Sequence, residues 1–100
     1  MNAAAIADAF VEPRWPRRRY HYYYVRGKLA SDPLYPGVVA ALRGSDAPLL
    51  DLGCGIGLLA HALRADGQAT AYSGVDFDPR KIAVADAAAQ RARLAGVAFA

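Results

Sequence analysis

Two carboxylates and a set of alternating glycines are the residues whose types and spacing could do chemistry in this chain. They lie in Pro48-Leu49-Leu50-Asp51-Leu52-Gly53-Cys54-Gly55-Ile56-Gly57 and, further on, in Gly74-Val75-Asp76-Phe77-Asp78-Pro79. Glycine at 53, 55 and 57 lets the main chain turn sharply and lets a ligand lie against it, because no Cβ stands in the way. The apolar run before the glycines is short and closed by glycine, which reads as a strand end. Leu58, Leu59, Ala62 and Leu63 then resume at helical spacing. Strand, glycine loop and helix in that order form the joint at which open α/β sheets hold nucleotide-like ligands. Cys54 reads as a small loop residue, not a nucleophile, since no partner base is evident. His21 and His61 are lone histidines, and two histidines with one cysteine, widely spaced, do not make a metal site.

The register of the glycines separates two ligand classes. A dinucleotide fingerprint has the form Gly-x-Gly-x-x-Gly. Counted from Gly53, its third glycine falls on Leu58; counted from Gly55, it falls on Ala60 and passes only in a relaxed form. The second register leaves Asp51 and Gly53 unexplained. An acid at the end of the first strand would also repel a pyrophosphate. A nicotinamide-dinucleotide or other nucleotide-binding domain therefore stands as an alternative, not as the first choice.

The segment Asp51 to Gly57 closely resembles the first motif of class I S-adenosylmethionine-dependent methyltransferases, and Gly74 to Pro79 is similar to that family's second motif. The resemblance covers roughly residues 48–100, with two motifs at the right separation. Arg26-Gly27-Lys28-Leu29 and Asp32-Pro33-Leu34-Tyr35 also look like the lead-in helices of some members. It implies methyl transfer from S-adenosylmethionine to an acceptor that the sequence does not name. Gly53, Cys54, Gly55 and Gly57 would lie against the cofactor, and Asp51 would face its ammonium group, directly or through water. Asp76, 19 residues after Gly57, would accept both ribose hydroxyls, and Phe77 would flank the adenine. Such transfer depends chiefly on positioning and requires no catalytic triad, so no catalytic residue is assigned.

These residues need a frame that holds them. Helix is expected at 2–11, ended by Pro13 and Pro16, and again from Asp32-Pro33 to Gly44 with Leu34, Val38, Val39 and Leu42 on one face. Strands are expected at 48–52, 71–75 and 97–100. Helices are expected from Ile56 to Ala65, stopped by Gly67, and from Pro79 to Ala95, capped by Asp78 and stopped by Gly96. The alternation implies parallel strands with right-handed crossovers. The expected fold is an α/β Rossmann-like parallel sheet with helices on both faces, incomplete at about three strands and preceded by N-terminal helices. Residues 1–47 form the lead-in or lid, and 48–100 the first half of the Rossmann-like domain. The chain stops at Val97-Ala98-Phe99-Ala100, inside what reads as a strand, so a truncated product or a fragment of a larger domain is expected.

Charge and composition set further bounds. The net charge is +3, and residues 1–50 carry seven Lys/Arg against four Asp/Glu, while residues 51–100 carry five of each. The excess lies between Arg14 and Lys28, interleaved with Trp15, Tyr20, Tyr22, Tyr23 and Tyr24. Tyr22, Tyr23, Arg26 and Lys28 are candidates for a lid that helps choose the acceptor. Nucleic acid is disfavoured as a partner because no RNA-binding motif accompanies the basic and aromatic residues. One cysteine excludes an internal disulfide and fits a reducing compartment. No apolar run approaches the ~18 residues of a membrane span. A cytoplasmic protein is the expectation. A half-sheet would expose the edge of its first strand, which invites self-association. A non-catalytic fragment that binds a partner is thus a further alternative.

Overall fold

The computed structural model describes residues 2–100. Its elements run α1 Ala3–Asp8, α2 Tyr20–Ser31, α3 Leu34–Leu42, β1 Leu49–Leu52, α4 Leu58–Ala65, β2 Tyr72–Val75, α5 Pro79–Arg91 and β3 Val97–Phe99. Local signals explain most boundaries. The Asp78 carboxylate accepts the Arg80 N–H at 2.9 Å, and Pro79 opens α5. Asp32 accepts the Leu34 N–H at 2.9 Å at the head of α3. Helix α4 closes on Gly67, whose φ is 83°, with Gln68 N–H bonded to the Leu63 carbonyl and Gly67 N–H to that of Arg64. That paired closure satisfies two carbonyls the helix end would otherwise orphan.

Helix α5 ends the same way, but earlier than glycine placement implies. Arg93 takes the left-handed conformation at φ 56°, Leu94 N–H reaches Ala89 O, and Arg93 N–H reaches Gln90 O. Leu94 is thereby delivered to the core, which explains why a non-glycine residue holds that backbone. Helix α2 occupies most of the basic and aromatic stretch. Its Val25 is fully buried, and Tyr22 and Leu29 pack beside it against Ile6, Ala7 and Phe10 of the first segment.

The three strands form one parallel sheet in the order β1-β2-β3, with Leu49 opposite Tyr72, Asp51 opposite Gly74, Tyr72 opposite Val97 and Gly74 opposite Phe99. Leu49, Tyr72, Val97 and Phe99 share one face, packed with Val39 of α3 and Ala60 and Leu63 of α4. Two right-handed crossovers that step in the same direction deliver α4 and α5 to the same side of a sheet. Helices on both faces were expected; the described helices pack on one face, and on the other Leu50 is 60% and Leu52 73% exposed. None of the described helices is long and apolar enough to cross a membrane.

Candidate functional site

The C-terminal ends of β1 and β2 lie side by side, because the parallel register carries Asp51 beside Gly74 and Leu52 beside Val75. The chain leaves β1 through the glycine loop and leaves β2 through Asp76. The loop is tied to β2 by its own backbone: Gly53 N–H and Cys54 N–H both donate to Val75 O, at 2.8 and 3.0 Å. Gly57 N–H donates to Cys54 O at 3.0 Å. Gly55 N–H donates to the Asp76 carboxylate at 2.9 Å. Four of the loop's N–H groups are therefore spent within the protein.

The glycines divide by what surrounds them. At Gly53 and Gly55, with φ of 71° and 59°, an added Cβ would meet nothing within 4 Å. These positions border open space. At Gly57, with φ 83°, a Cβ would stand 2.6 Å from the Phe99 ring and 3.3 Å from the Ala85 Cβ. Gly57 is thus a packing position between the loop, α5 and β3. Gly74 is similar, since a Cβ there would meet Phe99 at 2.8 Å and the Cys54 Sγ at 2.9 Å.

Asp76 is held by two backbone donors. Asp78 N–H donates to Oδ1 and Gly55 N–H to Oδ2, each at 2.9 Å. The two bonds, that from Asp78 first, hold the carboxyl below its ordinary range and keep it ionised. A carboxylate has about four lone-pair sites, so two remain for other donors. Asp51 accepts the Tyr72 hydroxyl. Tyr72 is 1% exposed, and burial first, then the Asp51 bond, drives its pKa upward, so the phenol stays a donor that aims the carboxylate. Burial first, with the charges of Asp51 and Asp76, also pushes the Cys54 thiol up. Cys54 is accordingly a half-buried side chain whose thiol is biased toward its protonated form. Phe77 stands 96% exposed immediately after Asp76.

Helix α2 faces this loop with residues other than the four singled out in sequence. Tyr20, His21 and Tyr24 line a cleft of about 320 Å³ together with Gly55, Ile56 and Lys81. Tyr22 packs inward on α1, with the Arg19 and Arg26 guanidinium groups 5.1 and 5.9 Å from its ring. Tyr23 and Arg26 are exposed, and Lys28 pairs with Asp32 at 3.0 Å. A helix drawn from Tyr20 would have placed Tyr20 and Tyr24 on one face by their spacing of four. Lys81 carries no comparable signal. Among the described residues no cluster of His, Cys, Asp and Glu could hold a metal ion.

A family model described as a methyltransferase domain matches residues 43–100. Among solved structures, that of the bifunctional kinase-methyltransferase WbdD is similar at 30% identity over 66% of this chain, with a TM-score of 0.49. The chain spans 14% of the length of that protein. No curated protein matches it. The matched region contains β1, the glycine loop, Asp76 and both crossovers, and the chain belongs to the methyltransferase domain family.

Proposed function

We propose that the glycine loop and its two flanking carboxylates bind S-adenosylmethionine, and that the protein transfers a methyl group to an acceptor. The observation that carries this is the state of the loop's N–H groups. A pyrophosphate site needs free N–H donors and a positive field. Here Gly53, Cys54, Gly55 and Gly57 donate inside the protein, and Asp51 and Asp76 make the surroundings negative. The spent loop donors and the negative surroundings suit a cation bearing hydroxyls and an ammonium better than a dinucleotide, the alternative for this loop.

The open space at Gly53 and Gly55 fits a ligand against the backbone, and the two free acceptor sites on Asp76 match a pair of ribose hydroxyls. Asp51, held by Tyr72, would attract the ammonium, and Cys54 would contribute only its backbone. Phe77 would cover the adenine face. When bound, the cofactor supplies a sulfonium methyl group open to a nucleophile. The chain's own part is to orient it and, with Tyr20, His21 and Tyr24 of α2, to border the space in front of the loop. No residue here is assigned as a base. The lone cysteine fits the proposed cytoplasmic setting.

Calorimetric titration of the chain with S-adenosylhomocysteine and with NAD, side by side, tests the proposal. Binding of the first alone is expected. Asp76→Ala should weaken it roughly 10- to 100-fold, the scale of a hydrogen bond to a charged group. Preference for NAD, or unchanged affinity in Asp76→Ala, would overturn the assignment. A chain that binds neither would favour the non-catalytic, partner-binding alternative.

A further inference from the structure

The connection between α1 and α2 takes no part in the site. At its centre stands Trp15, the single tryptophan of the chain, 87% exposed. Arg14, Arg17, Arg18 and Arg19 around it are all exposed, and Arg26, Tyr20, Tyr23 and Tyr24 continue the surface along α2. Among the described residues none of these five arginines belongs to an ion pair. No acid occurs between Glu12 and Asp32, and Glu12 is engaged by His21. Like charges without counter-charges repel one another. An indole left in water also forfeits the gain from burying its large apolar surface.

We propose that this connection and the adjoining face of α2 dock on an anionic lipid surface, with Trp15 entering the headgroup layer and the arginines resting on phosphates. Tryptophan and tyrosine amid arginine is the composition of a membrane interface, where amphipathic rings sit at headgroup level and basic side chains meet anionic lipid. Single-stranded nucleic acid fits less well, because it needs open ring faces for stacking. The Arg17 guanidinium lies 5.9 Å from the Tyr20 ring, and the Tyr23 ring meets that of Tyr22 edge to face at 5.1 Å, so two of the exposed rings are already engaged within the protein. A folded acidic protein fits less well too, because Trp15 is flanked only by arginine and proline. The apolar side of helix α2, Tyr22, Val25 and Leu29, is already packed on α1, so the helix rests on the surface while the connection inserts.

Trp15 reports its own environment, since no other tryptophan contributes to the emission. The chain is titrated with vesicles of phosphatidylcholine and phosphatidylglycerol in equal parts, with vesicles of phosphatidylcholine alone, with polyuridylate and with polyglutamate. A blue shift and co-sedimentation are expected on the mixed vesicles only, both reversed by high salt. Arg14→Ser combined with Arg18→Ser should lower partitioning about tenfold to thirtyfold, from roughly the energy of one surface-bound arginine per substitution, with the circular dichroism spectrum unchanged. Trp15→Ala should reduce co-sedimentation in the same way. No blue shift on the mixed vesicles, an equal shift on neutral vesicles, or a stronger response to either polyanion would overturn the proposal. None of these readouts depends on the cofactor assignment.

Discussion

His61 lies on α4 with its ring 5.0 Å from that of Phe10 and only 3% of its surface exposed. Its Nε2 has no partner among the described residues, and burial lowers its pKa from 6.5 to about 4. The unfolded chain takes up this proton as pH falls through 6.5, whereas the folded chain resists until about 4. Stability is therefore full above the unfolded value and declines as pH falls between the two, by about 3 kcal/mol in total. Urea midpoints taken from pH 7.5 to pH 4.5 should fall for the native sequence and stay nearly level for His61→Phe, which keeps a ring against Phe10. Asp66 acts in a lower window. The Arg43 bond first, then Gln68, holds it at about 2 against an ordinary 3.8, so its contribution is present above 3.8 and lost only as pH falls toward 2. The glycines give a second contrast. Gly53→Ala meets open space and should cost only the left-handed backbone, about 1–2 kcal/mol. Gly57→Ala meets the Phe99 ring, itself packed 5.7 Å from Tyr72, and should cost about 3 kcal/mol or more once overpacking is added. Equal midpoints for the two variants would contradict the division of the glycines into ligand-facing and packing positions. That division was not legible in sequence, where the three glycines look alike; it depends on what β3 brings up behind the loop.

At the level of elements, the joints between strands and helices are held by a side chain that sequence reading passed over. Arg64, in the last turn of α4, donates to Gln68 O at 2.9 Å, Thr70 O at 2.8 Å and Ala95 O at 3.0 Å. One guanidinium thus links the entrance to β2 with the entrance to β3. Arg64→Ala should destabilise the chain by about 1–2 kcal/mol, because two part-buried carbonyls and one exposed carbonyl lose a charged donor. Arg64→Lys should recover little of that, since an ammonium lacks the planar fork that reaches three acceptors at once. Full recovery by lysine in thermal melts would show that charge alone matters here. The elements themselves were legible where local chemistry fixes them: Asp78-Pro79 starts α5, Gly67 ends α4, and the apolar run from Leu49 makes β1. Asp51, the glycines and Asp76 were legible for the same reason, being set by short strand–loop spacings. Helix α2 was obscured, because its inner face is only Tyr22, Val25 and Leu29 among polar and aromatic neighbours. What stabilises it is tertiary, namely Ile6, Ala7 and Phe10 across from it. Tyr20, His21 and Tyr24 could not be assigned to the cleft without that packing, and Lys81 arrives there only through the β2–α5 connection.

At the largest scale the governing feature of the described residues is a sheet covered on one side. Leu50 and Leu52 point away from the helices, and among the described residues β1 pairs with β2 along one edge only, with no strand on its other edge. An unpaired strand edge offers a row of N–H and C=O groups to any second strand, and exposed leucines beside it add an apolar driving force. The edge is protected only by its four-residue length and by Asp51: β1 reads Leu-Leu-Asp-Leu, with no lysine or proline within it. Two copies meeting edge to edge by a twofold axis would extend the sheet and bring four leucines together, a closed arrangement that limits growth. The expected outcome is concentration-dependent sedimentation of the chain, with a dimer forming as concentration rises. Leu50→Lys with Leu52→Lys should restore a monomer, because each lysine replaces an exposed apolar contact and the two copies would then repel. Both positions face away from Val39, Leu63 and Tyr72, so the substitution leaves the packed side of the sheet intact and the circular dichroism spectrum should not change. Sedimentation as a monomer across that range in the native sequence would show instead that Asp51 and the twist of so short a strand are enough to keep the edge from pairing.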